Sequence, residues 1–254
     1  MSVKVSLIQP DIAWESVENN LRSIDRLFDS APASDLYVLP ETFATVFASD
    51  PSESARQEES IVAWMRTLAQ KFNCAISGTL IVERDTKFRN RHLFVTPTEI
   101  TVYDKRHLFS IGGEGDRYCA GKERKVVEWR GVRWLLATCY DLRFPVWLRN
   151  RGDYDVMICA ASWPAARAEV WDTLLRARAI ENVAYSIGVN RIGSDPTAKY
   201  SGGSVVYDFR GRAMARAEAT ESVLSIEIDC AALNEFREKF PVERDADDFE
   251  LITD

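Results

Sequence analysis

The feature that most constrains the fold of this chain is an early alternation of strand-like and helix-like apolar patterns. Residues 3–9 carry apolar side chains on one parity, as a β-strand does. Four apolar residues between Val17 and Phe28 then recur at steps of four, three and four, which predicts a helix with one buried face, capped by Ser16. A second strand within residues 35–43 is stopped by Pro40. Alternating strands and helices predict an α/β fold.

The rest of the chain continues this alternation and inserts hairpins into it. Helices are predicted for residues 54–72 and 169–183, and the apolar arc of the latter is too wide for one sheet, so we expect a partner subunit on its other side. Further strands are predicted for residues 75–82, 92–96, 99–104, 126–129, 132–138, 155–160, 184–190, 204–209, 213–217 and 222–228. The last three are expected to form one antiparallel closing set, and the hairpins imply mixed sheets.

Composition excludes several classes of protein. The 254 residues are 46% hydrophobic and 28% charged, with no linker-like run, so we expect a single domain over residues 1–254. A net charge of -7 argues against nucleic-acid and membrane partners, since both require a basic face. The sequence shows no signal-peptide pattern and no apolar run of membrane length, which predicts a cytoplasmic location.

Cysteine and histidine usage restricts the chemistry further. The five cysteines are widely spaced and contain no Cys-x-x-Cys pair, which predicts neither a disulfide framework nor a zinc site. The chain has only two histidines, His92 and His107, which disfavours a metallohydrolase built on histidine ligands. No bound metal is therefore expected.

Reactive side chains follow three separate predicted strands. Cys139 directly follows the apolar run 133–138, Glu41 follows the strand that stops at Pro40, and Lys105 follows residues 99–104. In open α/β sheets, ligands bind outside the carboxyl ends of the strands. A thiol becomes a good nucleophile when a base removes its proton or a cation stabilises the thiolate, and Glu41 and Lys105 offer one each. The three residues are therefore candidates for nucleophilic catalysis.

Each candidate also has a simpler interpretation. A single cysteine is more often a small buried apolar residue, and a single glutamate is more often a solvated charge. His107 suggests a different pairing, a Cys–His dyad, provided that the fold brings its ring to Cys139; otherwise it packs a loop. Only the combination of the three strand-end residues favours catalysis.

Seven motifs occur in a characteristic order: LPETF (39–43), NRHLF (90–94), YDKRHLF (103–109), CYDLRFP (139–145), SWPAAR (162–167), RARAIEN (176–182) and VNRIGSD (189–195). In this order and spacing they resemble the nitrilase superfamily of carbon-nitrogen hydrolases, close to its bacterial omega-amidase branch. The resemblance covers nearly the whole chain. It implies a four-layer α-β-β-α sandwich, a Glu–Lys–Cys triad, no metal or organic cofactor, and a homodimer that buries helices against each other.

The resemblance also implies a mechanism and residue roles. Glu41 takes the thiol proton, Cys139 attacks the amide carbon, and the oxyanion is met by the Lys105 ammonium and the backbone N–H of Tyr140. Ammonia leaves and water hydrolyses the thioester. Glu114 matches the second glutamate of the family, which positions substrate and lysine.

The assignment of Glu114 has competitors in the sequence. Asp116 and Glu123 lie nearby in the same segment between Lys105 and Cys139. This segment is rich in glycine, which lets a backbone turn tightly beside a ligand.

Substrate recognition is predicted for residues that follow the same strand ends. Arg143 and Arg167 could clamp a substrate carboxylate with their planar guanidinium groups, or could instead pair with Asp141 or Glu169. Trp163 is predicted to wall the pocket, although an aromatic residue there is equally compatible with plain core.

By resemblance, the leading function is hydrolysis of the distal amide of 2-oxoglutaramate or 2-oxosuccinamate to the 2-oxo diacid and ammonia. The alternatives keep the triad and change the pocket: an N-carbamoyl amino acid amidohydrolase, a deaminated glutathione amidase or a nitrilase. A catalytically idle binding module is the alternative from another class. The expected partner is a small-molecule amide.

Overall fold

The structure, a computed structural model, describes residues 2–14, 16–47 and 50–252. In chain order its strands are β1 (Ser2–Gln9), β2 (Leu36–Val38), β3 (Ala75–Arg84), β4 (Lys87–Val95), β5 (Ile100–Asp104), β6 (Val126–Trp129), β7 (Val132–Thr138), β8 (Val156–Ala160), β9 (Tyr185–Val189), β10 (Ile192–Ser194), β11 (Lys199–Ser201), β12 (Val205–Tyr207), β13 (Ala213–Arg216) and β14 (Ser222–Asp229). Its α-helices are α1 (Val17–Ser30), α2 (Pro51–Ala55), α3 (Glu58–Phe72), α4 (Glu114–Arg117), α5 (Pro145–Leu148), α6 (Ala168–Asn182) and α7 (Cys230–Lys239).

The first sheet has the strand order β14-β1-β2-β3-β4-β5. Strands β1, β2 and β3 run parallel, because α1 and the α2–α3 segment make the crossovers between them. Strands β3, β4 and β5 form the predicted antiparallel meander. All three residues of β2 are buried, as expected for a parallel strand covered on both faces.

The second sheet has the order β13-β12-β9-β8-β7-β6. The β6–β7 hairpin has the predicted bounds, and β7, β8 and β9 are parallel. Strands β12 and β13 then add antiparallel to β9. Both sheets are therefore mixed, and their parallel strands are those that deliver Glu41 and Cys139.

The position of β14 differs from the prediction. Residues 222–228 were expected to join the preceding two strands, but β14 crosses to the first sheet and pairs antiparallel with β1 along its whole length. The pairing joins Ser2 to Asp229, so it is set by contacts between the two ends of the chain. Local alternation of apolar residues predicts a strand without specifying its partner, which is why the pattern alone placed β14 in the wrong sheet.

Helices cover the outer faces of the two sheets. On the first sheet, the buried faces of α1 and α3 pack against β1, β2 and β3 through a core that includes Ile24, Ile61 and Met65. On the second sheet, α6 packs against β9 at Gly188, where an added Cβ would lie 2.3 Å from a Leu175 methyl carbon. The two sheets bury a second core that holds residues of β1, β4, β7 and β8. This confirms the predicted four-layer α-β-β-α arrangement.

Smaller differences concern local segments. The helix predicted for residues 54–72 is divided into α2 and α3 by Arg56 and Gln57. Ser16 precedes α1, but its side chain makes no capping hydrogen bond. The hairpin β10–β11 was not predicted, because its strands have three residues each. In the described ranges, no helix has the length and apolar character needed to cross a membrane.

Candidate active site

Four of the predicted residues meet where the carboxyl ends of strands from both sheets converge. Glu41 follows β2 and Lys105 directly follows β5, both in the first sheet. Cys139 directly follows β7 of the second sheet, and Glu114 is the first residue of α4. The two sheets therefore contribute different members of one cluster, which we call the reaction end.

The charged groups of the reaction end are buried and paired. Lys105 Nζ lies 2.9 Å from Glu41 Oε1, and it lies 3.0 and 2.9 Å from the two oxygens of Glu114. Lys105 is 2% exposed and Glu41 is 1% exposed. The ammonium can be buried because carboxylates on two sides accept its N–H groups and offset its charge.

Burial and these charges shift two pKa values. Burial alone would lower the pKa of Lys105, but the charges of Glu41 and Glu114 outweigh it and hold that pKa well above its ordinary value. Burial and the neighbouring charge of Glu41 raise the pKa of the Cys139 thiol well above its usual range, while Lys105 opposes them. At neutral pH the site therefore contains an ammonium and a protonated thiol.

Two residues that the sequence did not indicate orient the Glu41 carboxylate. Asn90 Nδ2 donates to Glu41 Oε1 at 2.7 Å, and the backbone N–H of Ser162 donates to Oε2 at 3.0 Å. Asn90 also accepts from the backbone N–H of Lys105 at 2.9 Å, because β4 and β5 are paired. Their signal in the sequence was their position as the first residues of two motifs. Since Oε1 receives two side-chain donors, Oε2 is the oxygen with a lone pair left for the thiol.

Cys139 itself has an uncommon backbone conformation. Its φ is 45°, in the left-handed region that favours glycine, and it begins the 3-10 turn Cys139–Arg143. The sharp turn places Cys139 in the wall of the cavity at the end of β7 instead of continuing the strand. Asp141 Oδ2 accepts from the backbone N–H of Thr138 at 2.9 Å, which holds the start of the turn. A strained residue of this kind persists where its surroundings fix it.

A cavity of about 370 Å³ opens above the reaction end. Its walls combine aromatic side chains with polar and cationic ones, and they include all eight predicted site residues: Glu41, Lys105, Glu114, Cys139, Tyr140, Arg143, Trp163 and Arg167. The size suits a small molecule. The β10–β11 segment contributes Asp195, Thr197 and Tyr200 to the wall of the same cavity.

Three arginines also line this cavity, and we call their part of its wall the binding end. Arg143 lies over the Trp163 ring at 5.7 Å and Arg167 lies over the Phe109 ring at 5.2 Å. Arg117 was not predicted, although its position three residues after Glu114 on α4 places it on the same helical face. Among the described residues, none of the three arginines forms an ion pair with a carboxylate.

Asp141 and His107 have partners other than those that the alternative roles require. Asp141 bonds His107 and not Arg143: His107 Nδ1 lies 2.8 Å from Asp141 Oδ1. The His107 ring stacks on Phe144 with centroids 3.8 Å apart, so it packs the loop as the simpler interpretation predicted. Trp163 is 3% exposed, and its indole N–H donates to Arg167 O at 2.8 Å. Trp163 therefore both lines the cavity and belongs to the buried core.

The described part of the chain contains no group of three or more His, Cys, Asp or Glu side chains placed to hold a metal ion. The polar groups of the reaction end are instead arranged to hold one another. What they can do chemically is move a proton, attack with a thiol and stabilise an oxyanion.

Comparison with known proteins gives consistent matches over nearly the whole chain. The carbon-nitrogen hydrolase family model matches residues 4–238. The chain is 45% identical over 254 residues to the Yersinia enterocolitica protein named Omega-amidase YafV, covering 99% of each chain. It is 30% identical over 251 residues to the 2-oxoglutaramate amidase of Bacillus subtilis strain 168, covering 95% of this chain and 96% of that one.

A solved structure is similar to the same extent. XC1258 from Xanthomonas campestris, a CN-hydrolase superfamily protein described with an arsenic adduct in its active site, superposes with a TM-score of 0.95 at 41% identity. The superposition covers 99% of each chain.

Proposed function

The chain belongs to the carbon-nitrogen hydrolase family, and we propose that it is an omega-amidase that hydrolyses the distal amide of 2-oxo dicarboxylate monoamides. The products are the 2-oxo diacid and ammonia, with 2-oxoglutaramate and 2-oxosuccinamate as the substrates. The observation that carries the proposal is a thiol beside a buried Glu–Lys–Glu cluster, in a cavity that is also lined by three arginines. The similarity to Omega-amidase YafV and to a 2-oxoglutaramate amidase supports the substrate class.

In the first step, Cys139 attacks the carbon of the distal amide. Because burial keeps the thiol protonated, its proton passes to Glu41 as the sulfur–carbon bond forms. The hydrogen bonds from Asn90 and Ser162 hold the Glu41 carboxylate in one orientation, so the base does not have to be ordered during the reaction.

The attack moves negative charge onto the amide oxygen. The Lys105 ammonium, whose raised pKa keeps it charged, and the backbone N–H of Tyr140 are the proposed donors to this oxyanion. Removal of one such preorganised donor costs about 3 kcal/mol in comparable acyl-transfer sites. Glu114 bonds Lys105 through both of its oxygens, so it fixes where the ammonium points.

The second half of the reaction returns the site to its starting state. Protonated Glu41 gives its proton to the leaving nitrogen as the carbon–nitrogen bond breaks, and ammonia departs from a Cys139 thioester. Water then attacks the thioester carbon and gives a proton to Glu41, which passes it to the departing thiolate. Each proton taken up by Glu41 is released again, so no cofactor is needed.

The binding end is proposed to hold the substrate carboxylate. Lys105 is committed to two carboxylates and to the oxyanion, so the far end of the substrate requires another cation. Arg143 and Arg167 are the proposed clamp, since a planar guanidinium can bind a carboxylate through two hydrogen bonds. Trp163 supports Arg143 from below.

We infer further that the enzyme is a homodimer that buries α5 and α6. Val146 of α5 is 56% exposed and Ile180 of α6 is 49% exposed, although both are aliphatic. Arg149 Nη1 donates to Glu181 O at 2.7 Å, which joins the end of α5 to α6 in one surface. Sedimentation of the wild type and of Ile180→Glu tests the assignment, because a charge at this face should shift a dimer towards monomer.

The chain is proposed to form one carbon-nitrogen hydrolase domain over residues 1–254 and to act in the cytoplasm. The matched family region spans most of that length. All five cysteines are free thiols, which fits a reducing compartment.

Ammonia release across a panel of amides tests the function. The panel contains 2-oxoglutaramate, 2-oxosuccinamate, uncharged amides of similar length, N-carbamoyl amino acids, deaminated glutathione and a nitrile. The ω-amide acids should give the highest kcat/KM. A higher value for a carbamoyl substrate, deaminated glutathione or a nitrile would assign one of the alternative hydrolase activities, and absence of any acyl adduct on Cys139 by mass spectrometry would indicate an idle module.

A further inference from the structure

Asp141 is a fully buried carboxylate outside the reaction end that accepts four hydrogen bonds. Its Oδ2 accepts from the Tyr103 hydroxyl at 2.7 Å and from the Thr138 backbone N–H at 2.9 Å. Its Oδ1 accepts from the His107 backbone N–H at 2.9 Å and lies 2.8 Å from His107 Nδ1. Since a carboxylate only accepts, Nδ1 carries the proton. One side chain thereby holds three residues, Tyr103, His107 and Thr138, from two segments of the chain.

The segments that Asp141 joins are those that carry the nucleophile and the lysine. Asp141 is two residues after Cys139, and His107 is two residues after Lys105. The first pair belongs to the turn that follows β7 in the second sheet, and the other pair belongs to the loop that follows β5 in the first sheet. Along the chain, these two loops are connected only through the whole segment between Lys105 and Cys139. The hydrogen bonds of Asp141 connect them directly through space.

Neighbouring groups hold the hydrogen bonds of Asp141 in place. The Tyr103 hydroxyl, which donates to Asp141, accepts from the Arg106 backbone N–H at 3.1 Å and from the Trp147 indole N–H at 3.1 Å. Burial and the charge of Asp141 raise the pKa of Tyr103, which keeps its hydroxyl able to donate.

At the far end of the nucleophile turn, the Arg178 guanidinium donates twice to Leu142 O, at 3.2 and 2.8 Å. The turn is thus held at its start by Asp141 and at its end by α6.

We propose that Asp141 and His107 are positioning residues that set the separation between the Cys139 thiol and the Lys105 ammonium. The inference rests on the proposed function, in which these two groups act on the same carbonyl. Neither Asp141 nor His107 lines the cavity, so both act through the residues that they hold. The contact matters because the two groups come from different sheets, and Asp141 joins the two loops directly beside them, two residues from Cys139 on one side and through His107, two residues from Lys105, on the other.

The separation matters more for acyl transfer than for other reactions of the thiol. The oxyanion must reach the Lys105 ammonium while the carbon is bonded to sulfur, and a misplacement of about 1 Å can cost a factor of a hundred in rate. Alkylation of the thiol by iodoacetamide displaces iodide and forms no oxyanion, so it does not require Lys105 at a set distance. The two reactions of Cys139 therefore separate positioning from general loss of structure.

The first test is Asp141→Asn, which keeps the size of the side chain and replaces one acceptor oxygen by a donor. With the amide that the wild type hydrolyses fastest, kcat should fall about a hundredfold while KM stays within about threefold, because the change affects the transition state. Labelling by iodoacetamide should stay within about threefold of the wild type, since alkylation forms no oxyanion. Unchanged kcat, or a parallel fall of kcat and labelling, would overturn the proposal.

A matched pair of variants at His107 still tests the proposal if Asp141→Asn does not fold. His107→Phe retains the ring that stacks on Phe144 and loses the Nδ1 donor, whereas His107→Asn retains a donor near that position and loses the ring. His107→Phe should lower kcat about tenfold, and His107→Asn should keep it within about threefold. Equal impairment of both variants, or full activity of His107→Phe, would show that the donor does not set the geometry. Failure of the wild type on 2-oxoglutaramate would contradict the proposed substrate alone.

Discussion

The two ends of the cavity place their charges in opposite ways. At the reaction end, Lys105 is 2% exposed and lies 2.9 to 3.0 Å from the carboxylate oxygens of Glu41 and Glu114. At the binding end, Arg117 and Arg143 are exposed and Arg167 is half-buried, and in the described ranges they lie against aromatic rings without a carboxylate partner. At the reaction end the ammonium already has its carboxylate partners before substrate arrives, whereas the arginines of the binding end lack a counter-ion among the described residues.

The difference supports the proposal that the reaction end performs the chemistry and the binding end selects the substrate. A preorganised cluster stabilises developing charge without rearranging, and removing one partner from a buried pair costs roughly 3 to 5 kcal/mol. Unpaired arginines in contact with water are free to exchange hydration for a substrate carboxylate, a gain of about 1.5 to 3 kcal/mol for each charged hydrogen bond. Substitutions at the reaction end should therefore abolish turnover, and those at the binding end should change the choice of substrate.

Removal of the nucleophile should have the largest effect. Cys139→Ala deletes the attacking atom and leaves only a small void, so ammonia release should fall by a factor of about ten thousand or more, with an unchanged melting temperature. Cys159→Ala, on the adjacent strand, is the matched control and should retain turnover. More than a trace of activity in Cys139→Ala would contradict a covalent mechanism.

Removal of the base should come next. Glu41→Gln keeps the shape of the side chain but cannot accept a proton, so turnover should fall about a thousandfold. Iodoacetamide should label Cys139 more slowly in the variant than in the wild type at pH 7, because the variant lacks the acceptor for the thiol proton while burial still raises the pKa of the thiol. Labelling that rises with pH through the alkaline range would report this protonated thiol.

The loss of the Glu41 charge works against that expectation, because the charge itself raises the pKa of Cys139. Comparison of the two proteins at several pH values separates the two influences. Equal labelling rates at neutral pH would remove Glu41 from the role of base.

At the binding end the expected change is one of selectivity. Arg143→Met or Arg167→Met should lower kcat/KM for an ω-amide acid about ten- to a hundredfold and barely alter an uncharged amide of similar length. The measurement is the ratio of the two substrates in each variant. Arg117→Met extends the test to the arginine that the sequence did not indicate, and a constant ratio in all three variants would place the carboxylate clamp elsewhere.

The smallest effect concerns stability behind the reaction end. His92 Nε2 lies 2.8 Å from Ser77 Oγ and its Nδ1 lies 3.2 Å from Ala137 O, so its buried ring links the two sheets. Burial lowers the pKa of His92 to about 4, whereas an unfolded histidine titrates near pH 6.5. Between these values the unfolded chain binds a proton that the folded protein does not, so the free energy of unfolding falls as pH drops through this window.

Denaturant unfolding at pH 7 and pH 5 measures the contribution of His92. The wild type should lose about 2 kcal/mol more than His92→Asn between these pH values, because the variant lacks the titrating ring. The contributions of groups that titrate equally in both proteins cancel when the two losses of unfolding free energy are subtracted. Equal losses in the two proteins would mean that the buried ring accepts its proton in the folded state.

Much of the site was predictable from local sequence. An apolar run followed at once by a reactive residue indicates a strand end, and this pattern located Glu41, Lys105 and Cys139 before any contact was known. Glu114 was indicated by the motif order and by the glycines around it, and its contact with Lys105 agrees with that placement. Helical periodicity likewise predicted α1 and α6 to within one residue at most positions.

Other residues of the site have no local signal of this kind. Asn90 and Ser162 reach Glu41 across sequence separations of 49 and 121 residues. In the sequence, Asp141 and His107 are ordinary polar residues. Their contact is visible only when the structure brings the two loops together. A side chain that acts through a hydrogen bond is recognised only when its partner is known, and the partner here lies on another sheet.

The sequence by itself determined which segments are strands and helices and which reactive residues end them, because apolar periodicity and turn residues act over a few positions. Only the tertiary structure decided that β14 pairs with β1 in the first sheet, that both sheets supply the reaction end, and that Asp141 ties the two loops. The physical reason is that strand edges and polar side chains can each satisfy several partners at similar local free energy. The choice among those partners is made when the whole core closes, since the native arrangement buries the apolar faces and gives the buried polar side chains their partners at the same time.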